Sequence, residues 1–200
     1  MSYAIPNQRL AQQIQFILEV DKLKNVVRRT YVSGAARREN SAEHSWQLAL
    51  MALTLAEHAN EPVDTAQVMK MVIIHDIVEI DAGDTYFFDD AGTADKAERE
   101  QKAAERIFGL LPADQAVELH QLWDEFEARE TPEARFANAI DRVMPLLLNY
   151  ETRGKSWREN GISNEQILPR MAHVADGSEA IWQLIQSIVT AATAEGYLSD

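Results

Sequence analysis

The sequence predicts an all-α, single-domain protein, with residues 1–200 forming one helical bundle. Apolar residues recur with the helical period over nearly the whole chain, and few segments alternate apolar and polar residues. Only eight glycines occur, and no Gly/Ser/Pro-rich linker divides the chain. A hydrophobic fraction of 46% is sufficient for one substantial core.

The first two helices are predicted on either side of a basic segment. Residues 7–24 place their apolar side chains on one face of a helix. Residues 28–38 are expected to be irregular. Asn40 or the next residue is the predicted N-cap of the second helix, because Asn40 and Glu43 have the spacing of a capping box. His44 is therefore expected in the first turn of that helix.

The third helix is predicted to begin after Asp64 and to end near Gly83, a residue type that tolerates the left-handed conformation at a helix terminus. Residues 84–93 are polar and aromatic, and they are expected to form a loop that could act as a lid. The remaining helices are predicted over residues 94–108, 113–128, 132–150, 164–173 and 178–195. Pro132 suits the first turn of its helix, and Pro145 is expected to kink the same helix.

Two potential metal ligands, His75 and Asp76, interrupt an apolar run late in the third helix. Burying an imidazole beside a carboxylate is costly unless each group finds a partner, and a divalent cation can partner both. His44 and Asp141 lie in apolar helical patterns of their own, so four ligands could converge on one ion. In the alternative interpretation, His75 is a core imidazole bonded to a carbonyl, Asp76 a helix-end or ion-pair carboxylate, and Asp141 a cap.

Helix geometry limits how this site can form. Glu79 follows His75 by four residues and Asp76 by three, so it projects from the same side of an α-helix. His75 and Asp76 themselves diverge by about 100°. The site therefore needs ligands from other helices. His58 lies fourteen residues beyond His44, or about 21 Å along a helix, which favours a single metal ion.

The ordered set of ligands and its flanking residues resembles the HD superfamily of metal-dependent phosphohydrolases, and most closely its 5′-deoxynucleotidase branch. The resemblance extends from about Leu10 to about Trp157. An isolated His-Asp pair has little specificity, whereas the ordered set is specific. The matching segments are Arg38 to His44, His75 to Glu79, Gly83-Asp84 and Ala139 to Arg142.

The resemblance implies roles for three further residues. Asp84 is expected to orient or deprotonate the attacking water, and Glu79 to contact that water or the sugar hydroxyl, with the two roles open to exchange. Arg29 occupies the position of the phosphate-contacting arginine, whereas Arg28 and Arg37 are also compatible with a solvated basic loop. The residue after Arg29 is aromatic in the best-known deoxynucleotidases but is Thr30 here, which leaves base and sugar recognition open.

The expected cofactor is one divalent ion, Mn²⁺, Co²⁺, Fe²⁺ or Mg²⁺, held by His44, His75, Asp76 and Asp141. Zn²⁺ is less expected because thiolate ligands are absent. The expected reaction is hydrolysis of a small nucleotide, a deoxyribonucleoside 5′-monophosphate above all. The alternatives are a phosphohydrolase acting on nucleoside di- or triphosphates or on another ester, and a nucleotide-binding regulator without turnover.

Composition limits the partners and the location. A formal net charge of −13 argues against nucleic acid polymers and acidic membranes as partners. Zero cysteines exclude disulfides and thiolate chemistry. No stretch approaches the roughly 20 apolar residues of a membrane helix, and residues 1–6 do not resemble a signal peptide, so a cytoplasmic location is expected.

The resemblance implies a homodimer. Trp46 is expected to pack or to form an interface, and Lys155 and Trp157 to lie at the surface.

Overall fold

The computed structural model describes residues 5–89 and 94–199, and the predicted all-α fold is confirmed. The helices are α1 Gln8–Val20, α2 Ser41–Leu55, α3 Thr65–Ile74, α4 Glu79–Ala82, α5 Lys96–Phe108, α6 Ala113–Ala128, α7 Pro132–Glu151, α8 Lys155–Asn160, α9 Asn164–Met171, α10 Val174–Gly177 and α11 Glu179–Ala194. The described residues also form three 3₁₀ turns, Asp21–Asn25, Ala56–His58 and His75–Val78. The predicted lid falls partly on residues 90–93, which lie outside the described residues.

The basic segment at 28–38 is not wholly irregular, which corrects the prediction. Strand β1 (Val27–Tyr31) pairs antiparallel with β2 (Arg38–Asn40), and the register is irregular between its two ends. β1 includes β-branched and aromatic residues, which favour extended backbone. In the connection, Gly34 has a φ of +82°, a conformation that glycine adopts without steric cost. The ribbon leads directly into α2.

The start of α2 is fixed by the predicted capping box. Asn40 Oδ1 accepts the Glu43 N–H at 3.0 Å, and Glu43 Oε1 accepts the Asn40 N–H at 2.8 Å. Both bonds satisfy amide groups that the first helical turn leaves without partners. They place His44 in the first turn of α2, as predicted.

The third predicted helix is divided into three pieces. α3 begins after its N-cap Asp64 and ends at Ile74, and the chain then tightens into the 3₁₀ turn His75–Val78 before the single turn of α4. Gly83, with a φ of +76°, terminates α4. Because residues three apart are eclipsed in a 3₁₀ helix, the tightened turn directs Asp76 and Glu79 to the same side.

α7 is the central helix of the fold, with buried residues on nearly all its sides. It contacts α2, α3, α6, α10, α11 and β1. Pro145 lies within α7, and Thr131 caps its start by accepting the Ala134 N–H. One continuous hydrophobic core extends from Leu23 to Leu198. None of the helices in the described parts of the chain has the length and hydropathy needed to cross a membrane.

Trp157 is placed differently from the prediction, and Trp46 is compatible with only one of its two predicted roles, that of an interface residue. Trp157 is only 1% exposed, because the short helix α8, which was not predicted, turns it into the core. Trp46 is 65% exposed and does not pack within this chain. It shares the outer face of α2 with Leu50 and Leu53, both of which are exposed.

Candidate metal centre

Three of the four predicted ligands come together at the centre of the fold. His44 comes from the first turn of α2, His75 from the 3₁₀ turn and Asp141 from the middle of α7, and all three are buried. One ligand atom from each lies within 4.8 Å of the others, a grouping that could hold a metal ion. His44 Nε2 is 2.9 Å and His75 Nε2 3.7 Å from Asp141 Oδ1.

The two imidazoles are oriented as metal ligands commonly are. His75 Nδ1 donates to the carbonyl oxygen of Val72 at 3.0 Å, so its Nε2 lone pair faces the centre, where Nε2 has no hydrogen-bond partner among the described residues. His44 Nδ1 lies 3.5 Å from Glu39 Oε2, on the side away from Asp141. The carbonyl behind the His75 ring fixes the tautomer that presents its Nε2 to a metal. The donor set therefore fits a divalent cation.

The charges at the centre also call for a cation. Burial by itself lowers the pKa of His75, but the Asp76 and Asp141 carboxylates outweigh it and raise that pKa to about 10. Burial opposes ionisation of Asp76 as well, yet His75 and Arg28 hold its pKa well below its ordinary value. Without a cation, the two carboxylates retain a proton on His75. A divalent ion supplies the same compensation more strongly.

Asp76 lies beside the three-ligand group and is not part of it. Its Oδ1 is 3.0 Å from His75 Nε2, while its Oδ2 accepts a bond from Arg28 Nη1 at 2.7 Å. One oxygen is thus engaged by an arginine and the other faces the centre. Its assignment as the fourth ligand remains a prediction.

Arg28 does not lie in a solvated loop. Its side chain is 13% exposed, and its Nε lies 3.4 Å from Glu39 Oε2. Burial lowers the pKa of Arg28, but Asp76 and the neighbouring carboxylates more than offset this, so the guanidinium stays charged. Along β1, Arg28 and Thr30 face inward, while Arg29 is exposed. Recognising the strand would have revealed this buried arginine.

Arg29 and Arg37 have different environments. Arg29 lines the pocket beside the metal centre, where its Nη1 donates to Asn160 Oδ1 at 2.6 Å and its guanidinium lies 5.0 Å from the Tyr86 ring centroid. Arg37 is exposed and pairs with Glu43, as the basic-loop interpretation allowed. The structure therefore brings Arg29 to the pocket and leaves Arg37 outside it.

The two carboxylates expected to handle water line the same pocket. Glu79 is 7% exposed and its Oε2 accepts a bond from Ser41 Oγ at 2.6 Å. Burial, together with the charge of Asp76, raises the pKa of Glu79 to about 8. Burial also raises the pKa of Asp84. Both groups thus hold protons more tightly than ordinary carboxylates do.

The pocket is open to solvent, and its empty volume is about 910 Å³ when the solvent-filled space at its entrance is included. His75, Asp76 and Asp141 form one part of its wall, and the aromatic residues of the loop after Gly83 form another. Sequence reasoning missed several residues of the lining. These are Lys96, Glu100, Phe126, Arg142, Leu146, Asn149, Trp157 and Met171.

Comparisons with known proteins give one consistent result. The model of the HD domain family matches residues 20–182. Proteins named 5'-deoxynucleotidase HDDC2 are similar: that of Bos taurus is 32% identical over 136 residues, or 67% of this chain and 64% of its own. That of Danio rerio is 30% identical over 139 residues, or 69% and 68% of the two chains. The chain thus spans about two thirds of the length of these relatives.

A solved structure matches over almost its whole length. It is the crystal structure of a predicted metal-dependent phosphohydrolase from Magnetospirillum magnetotacticum MS-1, which is 49% identical and superimposes with a TM-score of 0.93. The alignment covers 98% of this chain and 99% of that one. The helical architecture therefore belongs to a known type of fold.

Proposed function

The chain belongs to the HD domain family, and from this premise we propose that it is a metal-dependent phosphohydrolase acting on a small nucleotide, above all a deoxyribonucleoside 5′-monophosphate. One observation carries the proposal. Two members of the group formed by His44, His75 and Asp141 line one pocket, namely His75 and Asp141. The same pocket is lined by a cationic side chain, Arg29, and by Glu79, a carboxylate whose pKa is raised. These are the components that hydrolysis of a phosphomonoester requires. The names of the similar proteins direct the choice of substrate.

His44, His75 and Asp141 hold the metal in this proposal, with Asp76 as the fourth ligand. Mixed imidazole and carboxylate donors suit Mn²⁺, Co²⁺, Fe²⁺ or Mg²⁺, and the absence of thiolates disfavours Zn²⁺. A divalent ion bound there would polarise the phosphoryl group and lower the pKa of water. Arg28 keeps Asp76 ionised and oriented through its bond to Oδ2.

Arg29 binds the substrate phosphate. The protein has a net charge of −13, so a phosphate dianion must be met by a local cation. Arg28 is paired with Asp76 and Glu39, whereas Arg29 has no salt bridge among the described residues and contacts the amide of Asn160 and the ring of Tyr86. A guanidinium also offers the paired donors that phosphate oxygens accept.

Asp84 orients the attacking water and accepts its proton, and Glu79 contacts that water or the sugar hydroxyl. Ser41 occupies Glu79 Oε2, so Oε1 is the atom that holds or releases a proton. With a pKa of about 8, Glu79 can change protonation state near neutral pH. In the alternative assignment, Glu79 deprotonates the water and Asp84 contacts that water or the sugar hydroxyl.

Residues 1–200 act as one domain in this proposal, supported by the continuous core from Leu23 to Leu198. The protein works in the cytoplasm as a homodimer and does not bind nucleic acid polymers. The exposed apolar residues Trp46, Leu50 and Leu53 on α2 support self-association. Sedimentation of wild type and Trp46→Glu tests this: a wild-type dimer that dissociates in the variant is expected, and a wild-type monomer contradicts it.

Phosphate release is the direct test of the activity. Chelated protein is reloaded separately with Co²⁺, Mn²⁺, Mg²⁺ or Zn²⁺ and given deoxy- and ribonucleoside mono-, di- and triphosphates. Turnover of deoxynucleoside monophosphates is expected, and Asp76→Ala should abolish it. Asp81→Ala is the matched control, because Asp81 pairs with Arg106 outside the pocket.

Each contrary result has a defined meaning. Full metal-dependent turnover by Asp76→Ala would show that the metal-site assignment is wrong. Cleavage only of di- or triphosphates, or only of another phosphate ester, would change the substrate assignment and leave the site assignment in place. No product with any metal, despite demonstrable ion binding, would identify a regulator without turnover.

A further inference from the structure

A buried amide lies along the same wall of the pocket as the metal ligand Asp141. α7 supplies five pocket-lining residues at helical spacing, Asp141, Arg142, Pro145, Leu146 and Asn149. Asn149 follows Asp141 by eight residues, so it lies about 12 Å further along the helix. A ligand anchored at the metal centre by its phosphate would bring its opposite end to Asn149.

The two ends of the Asn149 amide differ in their bonding. Nδ2 donates to the carbonyl oxygen of Pro145 at 2.9 Å, which fixes the orientation of the amide. Oδ1 is buried and has no hydrogen-bond partner among the described residues, and the residue as a whole is only 7% exposed. Since a buried acceptor without a donor is costly, this oxygen suits a donor that arrives with a ligand.

The rest of the lining suits a flat, largely apolar group. The apolar side chains that contribute to it include Phe87, Leu146, Trp157 and Met171. Trp157 is almost completely buried, and the Arg142 guanidinium lies 4.4 Å from the Phe87 ring centroid, so both aromatic rings are held by packing. Apolar walls with a few fixed polar groups are typical of sites that bind aromatic heterocycles.

We propose that Asn149 Oδ1 recognises the nucleobase of the substrate and selects bases with an exocyclic amino group over thymine. This inference rests on the proposed function, since it assumes a nucleotide in the pocket. An exocyclic amino group projects beyond the ring and donates an N–H to Oδ1. The N–H of thymine lies between two carbonyl oxygens, and their repulsion of Oδ1 weakens the bond that this N–H can donate. Because Nδ2 is engaged by Pro145, the amide cannot turn to offer a donor instead.

Deoxycytidine and thymidine compounds form a matched pair for the test, because both bases are pyrimidines. The kcat/KM values for dCMP and dTMP are measured for wild type, Asn149→Leu and Asn149→Ala, with thermal unfolding as a check on folding. A preference of about tenfold for dCMP is expected in wild type, the size of one hydrogen bond. Both variants should reduce the ratio to within about twofold, through loss of dCMP turnover.

Asn138→Ala is the control variant. Asn138 is a buried asparagine on the same helix that does not line the pocket, and its Nδ2 donates to the carbonyl oxygens of Phe126 and Ala134. It should change the rates for dCMP and dTMP alike. Equal turnover of the two nucleotides by wild type, or a ratio unchanged by both Asn149 variants, overturns the base recognition and leaves the proposed function standing.

Isothermal titration calorimetry of the free nucleosides with metal-loaded protein distinguishes failure of the base-recognition proposal from failure of the proposed function. Tighter binding of deoxycytidine than thymidine, lost in the Asn149 variants, supports the base site even if no monophosphate is hydrolysed, in which case the proposed function alone fails. Absence of any difference between the nucleosides in wild type overturns the base site.

Discussion

Replacing Arg28 by methionine should destabilise the metal-free protein by about 3–5 kcal/mol, because it leaves a buried carboxylate without its cation. Arg28 and Asp76 have side chains that are 13% and 11% exposed, so solvent screens their attraction only weakly. Methionine retains much of the apolar length of arginine, which limits the cavity that the substitution creates. The loss therefore reports mainly the charge left on Asp76 and, through the second contact, on Glu39.

Arg37→Met is the matched control for this prediction. Arg37 belongs to the same basic segment and pairs with Glu43, but its side chain is 60% exposed, so its ion pair should contribute less than about 1 kcal/mol. Thermal unfolding of chelated protein compares the two variants, since for a chain of this size each kcal/mol shifts Tm by about 2–4 °C. We expect a decrease of roughly 6–20 °C for Arg28→Met.

A decrease for Arg28→Met no larger than that for Arg37→Met would refute the reasoning. It would mean that the protein relaxes, or water enters, so that Asp76 is solvated when Arg28 is removed. Urea unfolding at constant pH should give the same ranking, with similar m values for the two variants.

Three further predictions concern the metal and the substrate. In chelated protein, burial raises the pKa of Glu79 from 4.5 to about 8, so the folded state binds a proton that the unfolded state has lost between these pH values. The free energy of unfolding should therefore fall as pH rises from about 4.5 to about 8. Glu79→Gln should remove this contribution to the decrease, which Tm measured over a series of pH values would detect. Wild type with metal at about 100 times its Kd should gain roughly 2.7 kcal/mol, and Asp141→Asn should lose this gain, which differential scanning calorimetry with and without metal measures; an equal gain in the variant would exclude Asp141 as a ligand. Arg29→Ala should raise KM for a nucleotide at least about tenfold, as expected for a charged hydrogen bond, whereas Arg38→Ala, whose partner Glu159 lies outside the pocket lining, should leave KM within about twofold.

Much of the fold could be predicted because most segments follow simple helical rules. α6 was predicted with its observed ends, and the start of α2 followed from the capping box of Asn40 and Glu43. The meeting of His44, His75 and Asp141 was also predicted, because the ordered set of ligands resembles that of the HD superfamily, whereas the apolar patterns around them left the alternative of a core imidazole and capping carboxylates open. The 3₁₀ turn at His75 was not predictable in this way, since hydrophobic periodicity does not distinguish it from a continuing α-helix over four residues.

The ribbon β1–β2 was missed for a reason that concerns the site itself. Strands are recognised from sequence by apolar side chains on alternate positions, but the inward positions of β1 are Arg28 and Thr30. A positive charge on the inner face of a strand is unfavourable in an ordinary core, and it is accommodated here because Asp76 and Glu39 lie against it. Glu39 belongs to the other strand of the ribbon, but Asp76 comes from a distant part of the chain, so no pattern within the ribbon could have revealed it. The inward charges made the strand difficult to recognise from sequence, and the same charges hold the carboxylates in place around the metal centre. Local sequence rules tend to fail where a fold is organised around a functional site.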